Sequence, residues 1–426
     1  MKISQLRENL STGGLWFVPA IFVLASILLA FVTVAVDESL EGGTLPSITF
    51  DAGADSARSF LTTIASSMIT FTGLVFSITI VVLQLASGQF SPRVLRTFLR
   101  DRQSQYSLGV FVATFTYALM VLREVGGPGE PGQANLVPSL SISIAFLLVL
   151  LSVGFFVSYI HHMAQAIRVS SIIASVGRET REVIEDIYDH DVVAPPALDQ
   201  HPSGEPDGVV LCPGFGVLAA LDRDGLVEQA RKADCVLRNL RSIGDFIPEG
   251  APLFEVYGNF DDLDHGEVIE RVDLARERSM RQDPGFGFRQ LVDIAEKALS
   301  PAINDPTTAV QVLDQIHDLL RRIVRRPFPT GERFDSEGRL RTLYPVATWE
   351  GYVHLTMDEI RHFGARSIQV VRRMRALLED LLDIAPVERR AALEEQLALL
   401  DAAAARAYPD ALDLDAARRA DHQGIS

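Results

Sequence analysis

Residues 59–102 read SFLTTIASSMITFTGLVFSITIVVLQLASGQFSPRVLRTFLRDR. The segment opens as an apolar run and closes as a basic, broken one. A helix over 60–86 rises about 40 Å at roughly 1.5 Å per residue, enough to cross a hydrocarbon core of about 30 Å. At spacings of three and four, one side of it carries Thr62, Ser66, Thr70, Gly73, Ser77 and Gln84; the remaining positions are mostly Ile, Leu, Val, Phe and Met. Hydrocarbon offers nothing to a hydroxyl or an amide, so this stripe is expected to face protein or water. Two readings follow. As a packing seam, Gly and Ser let backbones approach, and Thr and Ser bond back to their own helix. As a lining, the same hydroxyls border a water-filled path with Gln84 near its mouth.

Working outward, 15–36 is an uncharged apolar run of spanning length. A cleaved signal peptide has an apolar core of only about 7–15 residues followed by a small-x-small site, so a retained helix is expected. Two further spans are read over 106–122, which is short, and 138–160, giving a transmembrane domain over 1–162. The loops differ in charge. Lys2 and Arg7 precede the first span; Arg93, Arg96, Arg100 and Arg102 follow the second against Asp101; His161, His162, Arg168 and Arg178 follow the fourth. Asp37, Glu38, Glu41, Asp51 and Asp55 face only Arg58 in the loop between the first two spans. The excess of Lys and Arg orients both termini and the 87–105 loop to the cytoplasm. That basic loop also attracts anionic lipid, by about 1 kcal/mol per charge; in an oligomer it would instead ring a pore mouth and select anions. No charged residue falls inside the four spans as bounded here, which weakens an ion-coupled pump and leaves a passive pore open.

Composition bounds the rest. A chain of 426 residues predicts two or three domains. Its net charge of -16 gives little support to a nucleic-acid partner. Two cysteines, Cys212 and Cys235, have no C-x-x-C spacing and are expected as free or buried thiols in a reducing compartment. Residues 163–208 read as a helix continuing the fourth span, followed by a Pro-rich linker. Residues 209–258 read as four short strands around a helix at DRDGLVEQARKA. Within them, IGDFIPEGAPLFEV resembles the hammerhead barrels of lipoyl and biotinyl carriers and of membrane-fusion adaptors, through Gly244, Phe246, Ile247, Gly250 and Leu253. The carriers' lysine has no counterpart, so no swinging arm is implied. From 265 to 410 helices are expected: 267–280, 285–299, a third from Asp305-Pro306 to about 325, then 348–363, 365–384 and 386–407, with 326–347 as loop and 411–426 as a frayed tail. The fold class is thus membrane α-helical with four transmembrane helices, plus a cytoplasmic α+β region: a small barrel-sandwich module and a helical bundle.

Three strings carry a wider resemblance: MITFTGLVFSITIVVLQLASGQFSPRVL, RSMRQDPGFGFRQLVDIAEKALSPAINDPTTA and YVHLTMDEIRHFGARS. In this order they resemble the bacterial membrane-protein family called Domain of Unknown Function 2254. The resemblance implies a multi-pass inner-membrane protein with four N-terminal spans and a cytoplasmic C-terminal region. It implies no activity and no cofactor.

Chemistry must therefore come from the residues. Around ALSPAINDP stand Arg281, Asp283, Asp293, Asn304 and Asp305. Asp at a helix N-cap with Pro behind it explains much of the string without a ligand; an ion-pair network or a catalytic cluster is the alternative, although no nucleophile–base pair is visible. His354, Asp358 and His362 recur every four residues on one expected helix, a ligand set zinc accepts; a plain polar face is the competing reading. No Walker loop, Rossmann glycine pattern, H-E-x-x-H or G-x-S-x-G occurs, which lowers the odds of the corresponding enzymes. The expectation is a homo-oligomer in the lipid bilayer, its second spans around an axis and its cytoplasmic part a collar, passing ions or small solutes passively. A membrane-anchored scaffold or sensor is the alternative, and a membrane-associated enzyme a third.

Overall fold

A computed structural model describes residues 17–39, 53–89, 102–125, 137–166, 168–188 and 201–423. The chain divides into two compact units, Met1–Ser171 and Ile172–Ser426.

Among the described residues of the first unit, four helices are long and apolar enough to cross a membrane: α1 (Phe17–Ser39), α2 (Ala54–Gln89), α3 (Arg102–Glu124) and α4 (Ser139–Ala166). All four expected spans are found, each longer than read. The third, expected as short, runs 23 residues. It is the least apolar of the four and the most buried, because the other three helices all pack on it. Leu108, Phe111, Tyr117, Ala118 and Val121 are its enclosed side chains. Surrounded by protein, α3 needs less apolar surface than a lipid-facing helix and can carry hydroxyls toward its neighbours. Tyr117 Oη lies 2.9 Å from Thr33 Oγ1 and donates to the Ser141 carbonyl at 3.1 Å. Thr114 and Ser152 pair at 3.0 Å, and Thr79 and Tyr159 at 2.7 Å. Gly109 lets α1 approach: a Cβ there would stand 3.0 Å from the Phe22 ring.

The second unit takes in most of α5 (Val169–Ile187), a helix separate from α4 rather than its continuation. Two sheets follow. One orders its strands β1 (Gly208–Leu211), β5 (Pro252–Gly258), β3 (Cys235–Asn239), β8 (Leu340–Leu343), β7 (Glu332–Phe334); the other is β4 (Phe246–Ile247), β2 (Gly216–Leu221), β6 (Val272–Ala275). Every ladder is antiparallel except β3–β8. Between β2 and β3 lies α6 (Arg223–Lys232), where the sequence places a helix. A closed barrel is not seen in this pairing. In the IGDFIPEG turn, Gly244 and Gly250 adopt φ of 96° and 76°, which side chains with a Cβ rarely accept. Ile247 and Leu253 are fully buried. Cys212 and Cys235 are free and buried in this core, and burial pushes the Cys235 thiol up to about 11.

Three expectations are corrected here. Residues 267–280 are not one helix: α7 (His265–Glu270) stops after six residues, and Val272–Ala275 pairs with β2. Residues 326–347 are not all loop, since β7 and β8 extend the larger sheet. The C-terminal tail holds α13 (Ala411–Ala417), capped by Asp410. The remaining helices fall close to where they were read: α8 (Pro284–Leu299), α9 (Pro306–Ile323), α10 (Trp349–Gly364), α11 (Ile368–Ile384) and α12 (Val387–Ala407). On α9, Val312, Leu313, Ile316, Leu319, Leu320 and Ile323 form the buried stripe that sets its place; removing one such Leu to Ala costs about 2–5 kcal/mol.

Candidate functional site

The stripe on α2 occupies one side of a helix whose other side is packed. Ala57, Leu61, Ile64, Met68, Val75 and Val82 are buried against the chain's own helices. Thr62, Ser66, Thr70, Gly73, Ser77 and Gln84 are all exposed on the single chain. Thr70 donates its proton to the Ser66 carbonyl at 2.9 Å, as a seam threonine does. At Gly73 nothing lies within 4 Å of where a Cβ would sit. Of the basic loop, Arg93, Arg96 and Arg100 lie outside the described residues; Arg102 begins α3 and is exposed.

The polar residues around ALSPAINDP serve separate local purposes. Asp283 accepts the Phe286 N–H at the start of α8 and is gripped by Arg278, Nε to Oδ2 at 2.6 Å and Nη2 to Oδ1 at 3.2 Å. Asp305 accepts the Thr308 N–H and its hydroxyl at the start of α9. Asn304 takes a φ of 50°, closing the turn before it. Asp293 pairs with Arg289 on α8, and Arg281 with Asp273 on β6. These contacts are caps and ion pairs.

His354 and Asp358 do meet. Gln396 on α12 lies 3.0 Å from His354 Nδ1 and donates to Asp358 Oδ1 at 2.8 Å, and Arg361 holds the same carboxylate at 2.9 Å. His362 instead stands edge-on to Phe363. Among the described residues no group of three or more His, Cys, Asp or Glu is placed to hold a metal ion, so the expected triad does not converge.

Sequence reading missed a cleft of about 380 Å³ in the second unit. It opens where the end of β2, the loop after β3, the segment 344–348 and the first turns of α8 and α10 come together. Gln282 ties two of these walls, its side chain accepting from the Leu221 N–H and donating to the Leu221 carbonyl, each at 3.1 Å. Tyr188 and Tyr352 close the floor with their hydroxyls 3.0 Å apart. Burial pushes the Tyr188 phenol up to about 12 and raises that of Tyr352 as well, so both stay protonated near neutrality. Arg223 lies over the Tyr344 ring at 4.7 Å. Its walls come from positions over a hundred residues apart, and only the Asp-Pro cap before α8 gives local warning of where one of them begins.

A family described as predicted membrane protein DUF2254 matches this sequence over residues 12–380. The chain belongs to this family. All three strings that carried the resemblance, at 68–95, 278–309 and 352–367, fall inside the matched range. An uncharacterized protein of Mycobacterium tuberculosis is 31% identical over 420 residues, spanning 96% of this chain and 80% of that protein. An uncharacterized protein of Mycobacterium bovis matches with the same identity and coverage. No solved structure matches. The family's description carries a membrane setting and no reaction, in keeping with the four candidate spans.

Proposed function

We propose that the protein assembles as a homo-oligomer in the bacterial inner membrane, with α2 of each copy turned toward a central axis, and that this assembly passes ions or small solutes passively. One observation carries the reading: the polar stripe of α2 is on the outside of the single chain, while the apolar stripe opposite it is spent on internal packing. Thr70 satisfies its own proton, so the weight falls on the Gln84 amide and on the open flank at Gly73. An amide facing hydrocarbon without a partner costs about 2–7 kcal/mol, which a second copy or a column of water removes. Within one chain, the buried hydroxyls of Thr33, Thr114, Tyr117 and Ser152 are tied into helix-to-helix bonds, which favours a path between subunits over one inside a subunit. The excess of Lys and Arg in the 87–105 loop and after the fourth span supports a cytoplasmic second unit and cytoplasmic termini. The test is conductance: purified protein in planar bilayers is expected to carry current, and Thr70→Leu or Ser77→Leu to reduce it. A silent bilayer containing folded oligomer overturns the proposal.

A further inference from the structure

The cleft in the second unit is unevenly charged. Three guanidinium groups line it, from Arg223, Arg241 and Arg278, against one carboxylate, Asp283. Asp283 is already committed to Arg278 and to the Phe286 N–H. Arg223 and Arg241 have no carboxylate partner among the described residues, in a chain whose net charge is -16 and where Arg271, Arg289, Arg341 and Arg375 each hold one or more. Among the described residues, the Arg241 guanidinium donates to the Pro252 carbonyl, at 3.3 Å. The Nε of Arg223 is buried and makes no hydrogen bond at all. The Arg223 guanidinium therefore keeps donor capacity on its terminal nitrogens for an incoming anion.

Three helices add to the same potential. Arg223 is the first residue of α6, Pro284 and Gly285 open α8, and Thr348 caps α10; all four line the cleft. Each helix start contributes about half a positive charge, while Asp222, Asp283 and Thr348 already take the Gly225, Phe286 and Gly351 N–H groups. One further donor is present, because the Tyr188 and Tyr352 hydroxyls share a single hydrogen bond and so leave one O–H proton for another acceptor. Apolar side chains line the cleft as well: Ile243, Val346 and Leu355, with the Tyr344 ring beneath Arg223. The volume, about 380 Å³, lies within the roughly 300–1,000 Å³ of small-molecule pockets.

We propose that this cleft binds a soluble phosphate monoester bearing a flat, apolar ring, its phosphate between Arg223, Arg241 and the helix starts and its ring against Tyr344 and Val346. Phosphate is favoured over a carboxylate because the guanidinium groups of Arg223 and Arg241, both lining the cleft without a carboxylate partner, together offer more donors than two oxygens can use. The inference does not depend on whether the membrane helices conduct.

Phenyl phosphate and inorganic phosphate are the probes, titrated calorimetrically into the full chain held in a maltoside detergent. Phenyl phosphate is expected to bind saturably, with inorganic phosphate weaker but competing. Arg241→Gln, at a partly exposed position, is expected to leave thermal unfolding without the probe unchanged and to weaken phenyl phosphate roughly tenfold, the loss of one charge-assisted contact. Arg223→Gln is expected to weaken it further, read only if its unfolding temperature matches the parent. Arg333→Gln, outside the cleft, is the control. Absence of saturable binding up to about 10 mM, or binding that Arg241→Gln leaves unchanged, overturns the proposal.

Discussion

Asp37 caps a helix that begins 102 residues later, at Ser139: its carboxylate takes both the N–H and the hydroxyl of Ser141, at 2.9 and 2.6 Å. The other oxygen takes the Leu140 N–H at 2.9 Å. From the last turn of α1, Asp37 thus closes orphan donors at the start of α4, in a buried position where water would not replace it. Asp37→Ala is expected to lower the stability of the purified protein by about 1–2 kcal/mol, as loss of a helix cap does, with Asp37→Asn keeping part of it. Unfolding in mixed detergent, followed by circular dichroism, measures both; an Ala variant as stable as the parent would remove Asp37 from this role.

Tyr117 converges on the same residue from α3, donating to the Ser141 carbonyl and contacting Thr33. Hydrogen bonds between membrane helices average about 0.6 kcal/mol. Tyr117→Phe is therefore expected to cost about that amount alone. Combined with Asp37→Ala it should depart from additivity by about 0.5 kcal/mol or more, because both bonds position Ser141. Strict additivity in the double-mutant cycle would mean that the two contacts act independently.

His317 on α9 is held as the neutral ring. Arg373 donates to its Nδ1 at 3.0 Å, so the proton sits on Nε2, which faces Asp380 at 2.8 Å. Burial lowers its pKa, against the opposing pull of Asp380, which Arg321 also binds. Because the folded pKa lies below the unfolded one, the unfolded chain binds more protons. The contribution is thus present above about pH 6.5 and is lost as the pH falls toward the folded pKa. His317→Gln keeps a donor for Asp380 and an acceptor for Arg373 without titrating. Denaturant midpoints of the two proteins are expected to converge as the pH drops from about 7 to 5; a constant difference across that range would show that His317 does not titrate on unfolding.

Much of this architecture was readable because its signals are local. Spanning length, Asp-Pro caps before α8 and α9, and the glycines at 244 and 250 each state their role within a few residues. What escaped reading depends on partners distant in the chain. Val272–Ala275 continues a helical pattern until β2 claims it, and Leu340–Leu343 reads as loop until β3 pairs with it in parallel. Asp37 reads as the first loop residue because its ligands begin at 140. The cleft is the same case enlarged, since Tyr188, Arg223, Arg241 and Tyr344 share nothing in sequence. Helical spacing did put His354 next to Asp358, but it could not show that His362 turns to Phe363 and that Gln396 takes the remaining valence.

The hairpin that reading missed rests on Arg341 and Asp335. Arg341 is buried and donates from Nε to Asp335 Oδ2 at 2.7 Å, while its Nη1 reaches Asp234 at 2.9 Å and the Cys235 carbonyl at 3.3 Å. Arg341 thereby ties β7–β8 to the start of β3. The Arg341 guanidinium, with the Arg339 and Glu337 N–H groups, holds the Asp335 carboxyl down to about 2. A folded pKa below the unfolded value of about 4 means that this contribution is complete above pH 4 and is lost as the pH falls through 2. Other ion-paired carboxylates titrate nearby, so the informative quantity is the difference between parent and Asp335→Asn. Asp335→Asn is expected to be less stable at pH 6, with the gap closing as the pH falls from about 4 to 2. Hydrogen exchange should report the loss locally, at the Leu237 and Thr342 amides where β3 and β8 pair. Equal stability at pH 6, with unchanged exchange at those amides, would show that the hairpin is held by its strand pairing alone.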